Sequence, residues 1–136
     1  MSDGYSSDVV PTPLRCWRFP ATPQYVAHAR YVVAAHARWL GADPAAVALA
    51  VSEAFTSAVI HAPEAAPGDV EVTVARRSGE LEICVCDDGP VTEQVNGAAA
   101  ADELALKMLR QITTRLERTR RAQGGTEVRM SFPVSS

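Results

Sequence analysis

The sequence predicts an α+β fold: a two-layer α/β sandwich with an antiparallel or mixed sheet and helices on one face. Three observations carry this. Apolar residues alternate with period two in several short runs, and recur three or four apart in three longer ones. The order along the chain is strand, two helices, hairpin, helix and closing strand, with short links between the paired strands. Strands that alternate apolar with polar side chains bury one face and leave the other to water.

Each element has its own signal. Residues 1–13 are rich in Ser, Asp, Gly and Pro and read as a flexible tail, so the folded domain is expected over residues 14–134. Leu14 to Phe19 offers a strand with Trp17 and Phe19 on one face. Thr22-Pro23 reads as a helix start, a capping hydroxyl before a proline. From there Val26, Ala29, Val33, Ala37 and Leu40 mark a helix that stops at Gly41. Asp43-Pro44 repeats the start signal for a helix to about Ala62, closed by Pro63, with Val47, Val51, Phe55 and Val59 as its stripe. Glu53, Ser57 and His61 recur every fourth residue and share another face of it.

Val70, Val72 and Val74, then Leu81, Ile83 and Val85, predict two strands joined by a turn at Ser78-Gly79. The second run ends in Asp87-Asp88-Gly89-Pro90, a turn placing two carboxylates at a strand end. Val91 to Ala101 reads as a loop. Asp102 to Leu116 reads as a third helix burying Leu104, Leu106, Met108, Leu109 and Ile112. Gly124-Gly125 makes a turn into a last strand with Thr126, Val128, Met130 and Phe132 in alternation.

Composition narrows the class. A chain of 136 residues fits one domain and buries roughly two-thirds of its unfolded surface. Its 47% hydrophobic and 21% charged residues are those of a soluble globular protein. The net charge of -3 argues against nucleic acid as the direct partner, which would need a basic footprint. Arg115, Arg118, Arg120 and Arg121 are a local exception, read either as a solvated edge or as a contact for an acidic protein. Cys16, Cys84 and Cys86 are odd in number and lack C-x-x-C spacing, so neither a disulfide framework nor a zinc site is favoured. Cys84 and Cys86 are expected on one strand face as small buried hydrophobes. With neither a signal-peptide pattern nor a long uncharged apolar stretch, a cytoplasmic protein without membrane contact is expected.

The segments Trp17-Arg-Phe-Pro-Ala-Thr-Pro and Val51-Ser-Glu-Ala-Phe-Thr-Ser-Ala-Val-Ile-His-Ala62 resemble the bacterial anti-sigma-factor serine/threonine kinases. These belong, with the sensor histidine kinases, to the histidine-kinase-like ATPase superfamily. The resemblance extends from Leu14 to Pro133. It implies the histidine-kinase-like ATPase fold, with ATP and Mg2+ held between the helical layer and a lid over the sheet. It also implies partner switching, in which the protein binds a sigma factor or phosphorylates a serine of an anti-sigma antagonist. A homodimer is compatible with it.

Site roles follow from the same resemblance. Glu53 matches the family glutamate that orders or deprotonates a water or hydroxyl near the γ-phosphate. Asp87 matches the aspartate that accepts a hydrogen bond from the adenine amino group. Gly89 would let the backbone pass close to the base, and Thr126 would support the adenine end. Four positions depart from the pattern. Ser57 replaces the magnesium-binding asparagine, giving a shorter and weaker neutral ligand. Val91 replaces the second glycine of D-x-G-x-G. Glu103-Leu104-Ala105-Leu106 stands where the family shows a G-L-G-L turn cradling phosphates with bare amides. Glutamate brings like charge toward a triphosphate, a repulsion of about 4 kcal/mol at ~4 Å and an effective dielectric of ~20, less when exposed. Two functions result: a partner-switching regulator with weakened or lost ATP binding, and an active ATP-dependent kinase with a variant pocket.

Overall fold

The computed structural model describes residues 13–63, 65–88, 96–122 and 124–135. Its strands are β1 (Pro13–Pro20), β2 (Asp69–Arg77), β3 (Glu80–Asp87), β4 (Arg115–Arg120) and β5 (Thr126–Pro133). Its helices are α1 (Tyr25–Trp39), α2 (Pro44–Ile60) and α3 (Asn96–Ile112). The expected tail lies outside the described residues except for Pro13, which opens β1.

The five strands form one sheet in the order β1-β2-β3-β5-β4. Every pairing is antiparallel, so the antiparallel alternative holds over the mixed one. Register puts Val70, Val72, Val74, Leu81, Ile83, Val85, Met130 and Phe132 on one face, all of them buried. All three helices pack on this side. α2 lies on β3 and β5 and touches both α1 and α3. Phe55 of α2 meets Phe19 of β1 edge to face, with centroids 5.9 Å apart.

The opposite face is polar and carries no helix among the described residues. Cys16, Thr73, Cys84, Arg129 and Glu117 run across it in one register row. Arg129 gathers Glu127 at 2.6 Å, Glu117 at 3.8 Å and Glu82 at 3.9 Å. Cys84 and Cys86 share this face, the first half-buried and the second buried, as free thiols. Burial raises both, and pushes Cys86 up to about 12.

The second helix start is as expected. Asp43 caps α2 by accepting the Ala45 amide at 3.0 Å, and Pro44 sits at the first helical position. The first is not. Thr22 does not cap α1; its hydroxyl is buried without a partner, and Gln24 takes the cap position. The Thr22 and Pro23 carbonyls instead receive the Tyr25 and Val26 amides, so a tight turn precedes the helix. Gly41 (φ 97°) ends α1, with the Ala42 amide reaching back to the Ala37 carbonyl at 3.0 Å.

Two expectations near the C-terminus are corrected. Residues 96–101 are helical, so α3 starts at Asn96 and not at Asp102. It ends at Ile112, and Leu116 lies in β4, a strand the sequence pattern does not announce. The expected apolar stripe is also only partly buried. Leu109 is inside and Leu106 and Ile112 are half-buried, but Leu104 is 62% exposed and Met108 38%. At the other end of the sheet, Trp17 of β1 packs edge-on against His36 of α1, which stacks on Trp39. The chain's two tryptophans thus flank one imidazole.

Candidate functional site

The paired ends of β3 and β5 form a rigid corner. Asp87 closes β3 and Thr126 opens β5, both half-buried. Cys86 pairs with Glu127, so Asp87 and Thr126 come next in register and share the helix side of the sheet. Val70 pairs with Asp87 on one flank and Arg120 with Thr126 on the other.

Two supports hold this corner that the sequence reading did not assign. Gly125 has φ 91°, and a Cβ there would collide with the Asp87 carbonyl oxygen and stand 2.8 Å from Asp88 Cα. Only glycine fits such an approach. Arg121 donates from Nη1 to the same Asp87 carbonyl at 3.0 Å, while its amide donates to the Gly125 carbonyl at 3.0 Å. The Gly124-Gly125 doublet signalled a turn but not which backbone it presses. Arg121 was hidden in a run of arginines.

Glu53 and Ser57 lie one turn apart on a flank of α2, both half-buried. That helix rests on β3 and β5, the strands whose ends carry Asp87 and Thr126. The Ser57 carbonyl receives both the amide and the Nδ1 of His61, at 3.2 and 2.9 Å, which closes the C-terminus of α2. Four of the expected positions therefore lie on α2 and on the ends of the two strands it packs against. Gly89 and Val91 lie outside the described residues.

The phosphate end differs from expectation. The family resemblance sets Glu103, Leu104 and Ala105 at a helix start, yet they lie within α3, past its first turn. In an α-helix each such amide bonds the carbonyl four residues back. Those N–H groups are spent inside α3, and the Glu103 and Leu104 side chains face solvent. Among the described residues, the amides of 103–105 are bonded within α3 and cannot cradle a phosphate there. Among the described residues no group of three or more His, Cys, Asp or Glu side chains could hold a metal ion.

The comparisons agree with this architecture. The family model of the histidine kinase-like ATPase domain matches residues 19–132, from the β1 phenylalanine to β5. No curated protein matches the chain. No helix among the described residues is long and apolar enough to cross a membrane. Membership of the family implies ATP binding, which makes the occupied α3 amides a departure from the expected pocket. On the match across most of its length, the chain belongs to the histidine kinase-like ATPase domain family.

Proposed function

We propose that this domain is a partner-switching regulator of the anti-sigma-factor type, acting in the bacterial cytoplasm with weakened or lost ATP binding. Its partner would be a sigma factor or an anti-sigma antagonist, held without direct contact to nucleic acid. The observation that carries the reading is the unbroken course of α3 through residues 103–106. A triphosphate needs unengaged amides, and here they are committed to the helix beside an exposed carboxylate at Glu103. On this reading Asp87 and Thr126 would retain the adenine end, so a remnant affinity for the base fits the same picture. Isothermal titration with ATP and Mg2+ tests it. Millimolar or weaker binding is expected, and micromolar binding would overturn the reading.

A second reading is an active ATP-dependent serine/threonine kinase that phosphorylates an antagonist. Glu53 on α2 and Asp87 at the end of β3 favour it, because they match the residues that chemistry and base selection need. In this reading Ser57 would contribute a hydroxyl to Mg2+. Incubation of the folded domain with labelled ATP and a candidate antagonist decides it. Transfer lost in Glu53→Gln would establish the kinase; no transfer at all would remove it.

A further inference from the structure

β4 is a terminal strand: it pairs with β5 on one side, and among the described residues no strand lies on the other. Five of its six residues are exposed. An edge of this kind presents a row of amides and carbonyls. The Arg121 amide bonds the Gly125 carbonyl, which fixes the alternation along the ladder. Bonded pairs then fall at Thr119–Glu127 and Glu117–Arg129, turning the backbone groups of Leu116 and Arg120 away from β5.

The charge of the edge is one-sided. Arg115, Arg118 and Arg120 stand along it, and its single acidic residue, Glu117, is turned to Arg129 of β5 at 3.8 Å. Arg118 and Arg120 share the helix side of the sheet with Val128 and Thr126, and Arg115 lies on the open side. A second copy of the same strand would set arginine against arginine, which disfavours self-pairing. An acidic strand meets the opposite condition on both faces.

We infer that the outer edge of β4 is a docking site for an extended acidic segment of a protein partner, which would join the five-stranded sheet as an added strand. Main-chain bonds to Leu116 and Arg120 would supply the pairing, and the three arginines the choice of partner. The arginines also block indiscriminate strand addition, because an apolar or basic segment gains nothing from them. The net charge of the whole chain, -3, keeps this basic strip local and favours an acidic peptide over a polynucleotide. None of this depends on whether the adenine corner binds a nucleotide.

The test uses the full chain and an alternating Glu-Thr peptide of about eight residues, the length of an ordinary strand. A second peptide of the same charge carries N-methyl groups on alternate amides, which abolishes strand pairing on one side. By fluorescence anisotropy the first peptide should bind at least about tenfold more tightly than the second. Hydrogen exchange at the Leu116 and Arg120 amides should slow in its presence. The double variant Arg115→Glu with Arg120→Glu, shown to be folded by circular dichroism, should lose about tenfold or more in affinity. Equal binding of the methylated peptide, unchanged exchange at those amides, or indifference to the charge reversal would each overturn the proposal. A single-stranded oligonucleotide displacing the peptide while leaving both amides unprotected would also overturn it, and mark the strip as a phosphate-binding patch.

Discussion

At the β3–β5 corner, a glycine and an arginine both converge on one carbonyl, that of Asp87, and leave the strand ends no freedom. Along α3, residues 103–106 belong to a helix that leaves Leu104 and Met108 exposed. In the proposed reading, the contrast separates the two halves of a nucleotide site. A base is selected by a fixed acceptor at a strand end, which over-determined packing can preserve. Phosphates are held by amides that must stay unbonded, and any residue that favours continued helix removes them.

The largest expected effect breaks the rigid side. Gly125→Ala should cost about 3 kcal/mol or more in urea denaturation, because the new Cβ meets Asp87 backbone at a positive φ. Gly124→Ala, at φ 103° but with nothing within 4 Å, should cost about 1 kcal/mol. Equal costs would show that the close approach is not what matters. Next comes the phosphate side. Glu103→Gly and Ala105→Gly combined with Ser57→Asn should strengthen ATP binding about a hundredfold by calorimetry, equivalent to ~2.7 kcal/mol. The two glycines weaken α3 by about 1 kcal/mol each, and so favour a later helix start with exposed amides. A folded triple variant that binds no better would sink this account of the pocket.

Arg121→Met should destabilise the corner by about 1.5 kcal/mol through loss of one charge-assisted hydrogen bond. Hydrogen exchange near Asp88 should quicken without a change in α3. The last effect is confined to alkaline pH. The Cys86 thiol is raised to about 12 in the fold from an ordinary 9.0, so the folded state binds the proton more tightly than the unfolded one. Its contribution to stability is complete below pH 9 and is lost as pH rises toward 12. Cys86→Ala should therefore show a shallower alkaline decline in urea midpoint than the natural chain; parallel curves would discount the buried thiol.

Much of the fold was legible because its signals are local and mutually consistent. α2 declared itself through Asp43-Pro44 and the Val47, Val51, Phe55 stripe, all confirmed by the cap bond and by burial. β2 and β3 declared themselves by strict alternation. β4 did not, because Arg115–Arg120 holds one apolar residue, Leu116, and its strand conformation comes from pairing with β5. The start of α3 was missed for the opposite reason. Residues 98–101 are all alanine, the strongest helix former, but present no apolar period to read. At the proposed site, Glu53, Ser57, Asp87 and Thr126 rest on motif resemblance. Arg121 and Gly125 act through backbone contact with Asp87, and such a contact leaves no pattern in a single sequence.

The pairing of Trp17 and Trp39 about His36 decides what the protein's own light can report. Trp17 belongs to β1, the edge strand farthest from β4 in the sheet order, and the exposed Trp39 to the end of α1. Burial, with Arg15 adding to it, lowers His36 below its usual 6.5, so acid quenching would set in only below that value. A change in intrinsic emission at neutral pH on adding a ligand would therefore report a disturbance around His36, where β1 meets α1. Silence there would be compatible with a ligand seated on the outer edge of β4, at the opposite side of the sheet.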